Sequence, residues 1–205
     1  GSMIMSLREL HSASVLLIVA ALISSCSAHS SKSSETTAPA ASNESSTGKF
    51  VKHSPAHGLT FEAPNPITSD KQPVKDDAGM SRINYYVTDE ANPALIDVEY
   101  YTDHSQTAAS ISENDKKFYA EDGISVSPKK TTVKGSSSAY TFTWEQSATP
   151  PWNNDTKEIN LSCQAVVADG PSGYAYGVYI CTPKGNTKGH EMTQLIIKSI
   201  EVKSS

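Results

Sequence analysis

Glu158–Ala168 reads EINLSCQAVVA and Tyr174–Thr182 reads YAYGVYICT. Between them stands Asp169-Gly170-Pro171-Ser172-Gly173, a cluster of turn formers. Two apolar runs of strand length around such a turn predict an antiparallel hairpin. A turn at Pro171–Gly173 sets Cys163 opposite Cys181 and Ala165 opposite Tyr179. Opposed residues in antiparallel strands have Cα atoms about 4.5–5.5 Å apart, a span that a disulfide accepts. Both cysteines then share one sheet face with Leu161, Ala165 and Val167. A slip of one residue would send the two side chains to opposite faces.

Working outward, period-2 alternation dominates and two stretches switch to helical period. Ala139–Glu145 alternates Tyr140, Phe142 and Trp144 with Thr141 and Thr143, a strand pattern. Arg82–Thr88 and Ala94–Thr102 read as strands joined through a turn at Asn92-Pro93. In the second of these Ile96, Val98 and Tyr100 lie on one face and Asp97 and Glu99 on the other, which is expected to face solvent. Lys49–His53 and Leu59–Ala63 are short strands around a Ser-Pro-Ala-His-Gly turn, and Pro64–Met80 reads as a loop. Ile124–Val133 is a weak strand region broken by Pro128. Ser105–Glu121 places Ala108, Ile111, Asp115 and Phe118 at roughly helical spacing. Ser105 or Thr107 is its expected cap, and Gly123 its stop. Glu191–Ser199 places Met192, Leu195 and Ile196 on one helical face, and Ile200–Val202 reads as a short closing strand. Antiparallel strands plus helices with one apolar stripe predict an α+β layered domain.

The N-terminal part reads differently. Gly1-Ser2 ahead of Met3 reads as a cloning scar. Ala13–Ile23 is ASVLLIVAALI, uncharged, with Arg8 before it. A basic start, an apolar core of roughly 7–15 residues and a small-residue ending make a secretory signal. The run is short for a membrane span, which takes about 20 apolar residues. Its end, Ile23-Ser24-Ser25-Cys26, resembles the bacterial lipobox. The resemblance implies cleavage before Cys26 and a lipid on that cysteine. Cys163 and Cys181 are then an even pair in an oxidising setting, and a disulfide is the expected state. Ser27–Gly48 is almost all Ser, Thr, Ala and small polar residues. Such a composition cannot bury enough surface to offset its ordering entropy and reads as a flexible tether. The chain therefore divides into residues 1–25, scar plus signal; 26–48, lipidated Cys26 and tether; and 49–205, one folded domain.

Lys49–Lys203 carries 15 basic against 19 acidic side chains, a net of −4, with the signs interspersed. A basic footprint for nucleic acid is missing. His53 and His57 stand four apart, but Pro55 and Gly58 make a turn between strands there, and no third ligand follows. Exposed turn histidines are expected at these two positions, and solvent exposure for His104 and His190. No G-x-S-x-G, Walker A loop or G-x-G-x-x-G occurs, so nothing points to a hydrolytic serine or a phosphate cradle. Asp97/Glu99 and Glu121/Asp122 are carboxylate pairs without a cleft to converge in. The expectation is no enzyme, no metal and no cofactor.

Gly58–Pro64, GLTFEAP, resembles the opening motif of PsbP-like domains. Thr131–Trp144 resembles that family's glycine turn before an aromatic strand, and Ile196-Ile197-Lys198-Ser199-Ile200 its C-terminal helix and final strand. The usual Pro-x-x-Trp is absent, since Asn65-Pro66-Ile67 follows Pro64. The resemblance implies an α/β/α sandwich with a central, mostly antiparallel sheet and a role in binding or assembly, with no shared catalytic residues. The functional expectation is a monomeric, lipid-anchored domain on the extracytoplasmic face, binding a protein or other envelope component. A carrier of a small apolar ligand is the alternative. Trp152, in a loop between Pro150-Pro151 and Asn153-Asn154, and the strand tyrosines Tyr174 and Tyr176 are the candidate partner contacts. Tyrosine and tryptophan combine apolar area with a polar tip.

Overall fold

The computed structural model describes residues 49–203. The signal, Cys26 and the Ser27–Gly48 tether lie outside the described residues. The elements run β1 (Phe50–Ala56), β2 (Leu59–Pro64), β3 (Ile67–Ser69), β4 (Val74–Lys75), β5 (Met80–Val87), β6 (Ala94–Tyr101), α1 (Ala108–Glu121), β7 (Lys129–Thr131), β8 (Ala139–Ala148), β9 (Ile159–Asp169), β10 (Ala175–Pro183), α2 (Thr187–Ser199) and β11 (Glu201–Val202). The fold is α+β. An antiparallel sheet in the order β3-β5-β6-β10-β9-β8-β7, with β4 also on β5, forms the central layer.

The β9–β10 hairpin sits in the middle of this sheet in the expected register. Cys163 opposes Cys181, Ala165 opposes Tyr179, and the Pro171–Gly173 turn is a single 3₁₀ turn with Ser172 at φ 55°. The two cysteines are joined, with Cα atoms 4.2 Å apart. That is the close spacing of a non-hydrogen-bonded antiparallel pair.

Alternation along the strands gives the sheet two apolar faces. One carries Leu95, Phe142, Trp144, Leu161, Cys163, Ala165, Val167, Tyr179 and Cys181, and α1 covers it with Ala108, Ile111 and Tyr119. The other carries Ile83, Tyr85, Ile96, Val98, Val166, Val178 and Ile180. It is covered by α2, through Met192 and Ile196, and by a small sheet in the order β1-β2-β11. The second outer layer is thus a helix plus three strands rather than a helix alone.

Of the two expected caps, Ser105 and Thr107, it is Thr107 that starts helix α1. Thr107 Oγ1 accepts from the Ser110 N–H at 3.1 Å, and Ser110 Oγ accepts from the Thr107 N–H at 2.8 Å. This reciprocal pair satisfies two orphan donors of the first turn. Asp169 Oδ1 accepts from the Ala108 N–H at 2.7 Å and ties the helix start to the end of β9. Helix α2 starts four residues before the apolar periodicity. Asn186, in a stretch that reads as a chain breaker, is its cap and accepts from the Gly189 N–H at 3.1 Å. The expected loop Pro64–Met80 contains two short strands, β3 and β4, both paired with β5. Ile67-Thr68-Ser69 and Val74-Lys75 are too short to carry an alternation that could mark them.

Candidate functional site

Asp97 and Glu99 do not face solvent. They are 0% and 1% exposed, on the face that α1 covers. Alternation separates the two faces of a strand, but it does not decide that the polar face is the wet one. Register assembles a cluster around them. On β5, Arg82 opposes Glu99 and Asn84 opposes Asp97. On β10, Gly177 opposes Glu99 and Tyr179 opposes Asp97. From above, α1 brings down Asp115, itself 1% exposed, on the same stripe as Ala108, Ile111 and Tyr119.

Tyr179 is the link between layers. Its hydroxyl donates to Asp115 Oδ2 and stands close to Glu99, whose carboxylate accepts no hydrogen bond of normal geometry. Gly177 makes this pose possible. A Cβ there would come within 2.5 Å of the Tyr179 ring, so only glycine lets the ring lie back over the strand. Neither oxygen of Asp97 accepts a hydrogen bond, and Asn84 Oδ1 beside it is also unpaired.

Three acids in one dry layer cannot all ionise. Burial disfavours the charged form, and each anion raises the cost of the next. Burial first, then the neighbouring Glu99 carboxylate, pushes Asp97 well above the ordinary carboxylate range. Burial likewise raises Glu99, opposed by the Arg82 charge and by Tyr179. Asp115 is pushed up to about 8, by burial and by Glu99. Burial and the acids around it push the Tyr179 phenol upward too. Each of these acids therefore holds its proton to a higher pH than an exposed carboxyl would. They have the composition of an acid–base site, but the fold seals them between α1 and the sheet.

The residues singled out in the sequence lie elsewhere. Trp152 is half-buried against the α1-side core, as a plug on its edge. Tyr174 is half-buried, its ring edge-on to His57 at 6.2 Å. Tyr176 is a core residue, 1% exposed, and its hydroxyl donates to the His57 carbonyl. It has no surface to offer a partner. His57, His104 and His190 are exposed, whereas His53 is half-buried and stacks on Phe61 at 5.3 Å. Burial lowers the His53 pKa. Among the described residues no group of three or more His, Cys, Asp or Glu side chains has a geometry that would hold a metal ion. An open pocket of about 270 Å³ lies at the start of α2, lined by Ser162, Thr182, Pro183, Asn186, Thr187 and His190. It lies on the other face of the sheet from the acids and includes no carboxylate. Among the described residues no helix is long and apolar enough to cross a membrane.

The sequence held one signal for the acid cluster. Asp115 falls inside the apolar stripe of α1, and an acid in that position needs something polar beneath it.

The acid-cored α+β sandwich is the class that fold and site define. No family model matches the chain, and no curated protein matches it. The PsbP-like reading therefore rests on the sequence motifs and the order of elements. One matching solved structure is that of LpqN, a Mycobacterium tuberculosis protein involved in cell envelope biogenesis. It is 12% identical, with a TM-score of 0.40, covering 68% of this chain and 93% of that one. At that level the likeness carries no argument about what this chain does.

Proposed function

We propose that the chain is a lipoprotein anchored through Cys26 on the extracytoplasmic face, with a PsbP-like domain that binds a protein or other envelope component without catalysis. The single observation that carries the non-catalytic reading is the sealing of the acids. Asp97, Glu99 and Asp115 are 0–1% exposed, so no substrate reaches them in the closed fold. A general acid or base must come within hydrogen-bonding reach of the proton it moves. The lipobox-like Ile23–Cys26 behind its apolar core supports the anchor. What remains to act is the outer surface, where Val51, Val74 and Leu195 are large apolar side chains open to solvent.

The test is to replace Asp97 by Asn or Glu99 by Gln in the full-length protein and measure its cellular function beside its stability. A binding domain keeps its function in both variants so long as the fold is kept. Loss of function in a variant with native spectra, native melting and wild-type hydrogen exchange in α1 would overturn the reading and make these acids catalytic.

A further inference from the structure

We propose that Asp97, Glu99 and Asp115 form a proton-dependent latch that clamps α1 to the sheet when loaded and releases it as the protons leave. This goes beyond the binding role and concerns how the domain opens. The geometry is a layer of acids closed from both sides. The sheet contributes Asp97 and Glu99 from β6, and the helix contributes Asp115. Asp97 is fully buried with neither oxygen hydrogen-bonded. In that position a neutral acid is tolerated and an anion is not.

The other titratable groups around the layer do not cancel this. From β5 come the Arg82 cation and Tyr86, from β6 Tyr101, from α1 Tyr119 and from β10 Tyr179. Asp70, Asp76 and Asp103 add negative charge from the surrounding loops. The lysines of α1, Lys116 and Lys117, point out to solvent. Among the described residues Arg82 is the cation set against these acids, which come from β6, from α1 and from several loops. Lifting α1 lets water reach the carboxylates and relieves the repulsion. It also uncovers the aromatic layer of Tyr119, Phe142, Trp144 and Tyr179, whose rings pack at 4.8–6.4 Å.

The molecule contains its own control. The buried residues of α2 are Gly189, Met192, Thr193 and Ile196, with no acid among them. A latch under α1 therefore predicts that the two helices respond differently to pH. Asp115 titrates as an ordinary carboxyl near pH 4 when the helix is open and near 8 when it is closed. Between those values each pH unit favours opening about tenfold per titrating group.

Amide hydrogen exchange of the folded wild-type protein at pH 5, 6 and 7, corrected for intrinsic rates, reads this directly. Protection of α1 is expected to fall by about 100-fold from pH 5 to 7 relative to α2. Glu99→Gln is expected to shrink that fall. Parallel changes in the two helices, or α1 protection that does not depend on pH, would overturn the latch. The wild-type comparison stands even where the variant folds poorly.

Discussion

Replacing Asp115 by Asn removes one stored proton and keeps the shape of the side chain. The amide oxygen still accepts the Tyr179 hydroxyl, which in the native protein donates to Asp115 Oδ2. In the unfolded chain Asp115 ionises near the ordinary value of 3.8, and in the folded protein it holds its proton up to about 8. The folded state then binds more protons than the unfolded state across that window, so native stability is fully present below about pH 4 and falls as pH rises toward 8. Each pH unit inside the window costs about 1.4 kcal/mol. From pH 4 to pH 7 this one group removes on the order of 4 kcal/mol from the wild type and nothing from Asp115→Asn. For a domain of this size about 1 kcal/mol moves Tm by roughly 2–4 °C, so the two proteins diverge by about 10 °C over that range. Thermal and urea unfolding followed by circular dichroism, with the disulfide intact, measure it. A uniform offset between the proteins is irrelevant, because the slope against pH carries the effect. Parallel stability profiles from pH 4 to pH 8 would refute the reasoning.

Gly177→Ala places a Cβ 2.5 Å from the Tyr179 ring in a closed core, and is expected to lower stability by about 1–3 kcal/mol with a change in near-ultraviolet dichroism. A variant with native stability would mean that the ring does not lie over that strand. Replacing Cys163 and Cys181 together by Ala is expected to cost at most about 3 kcal/mol, and less in practice because the hairpin already holds its ends together. Mass spectrometry of the non-reduced protein is expected to find no free thiol at either position. Cys26→Ala is expected to abolish lipid labelling and either release the protein or leave its precursor uncut. Lipid still carried by that variant would refute the lipobox reading of Cys26.

The hairpin register was legible because a Gly/Pro turn and two alternating runs fix each other, and Cys163 opposite Cys181 follows from the turn alone. The start of α1 was legible for a similar reason: Thr107 stands just before the first apolar position of the stripe. The acid cluster was not legible, because its acids come from β6 and from α1, with Tyr179 from β10 between them, and only the sheet order and the packing of α1 on it bring them together. Alternation in Ala94–Tyr101 separated Asp97 and Glu99 from Ile96 and Val98 correctly. It could not say that a helix covers the polar side. Tyr176 misled for the opposite reason. A strand tyrosine looks like a surface contact until its hydroxyl is given a buried acceptor, and that acceptor is the carbonyl of His57, 119 residues away. The start of α2 was hidden because Asn186 reads as a breaker in sequence and serves as a cap in the fold.

Whether Asp97, Glu99 and Asp115 hold their protons inside the folded domain decides between a sealed acid core and an open acid–base site. Carbon-13 NMR of the side-chain carboxyls, followed from pH 3 to pH 9, measures each group in place. Asp115 is predicted to titrate near 8, with Asp97 and Glu99 also displaced upward from the ordinary carboxyl range by their burial. Ordinary carboxyl titration of all three near pH 4 would contradict the sealed core and the latch built on it.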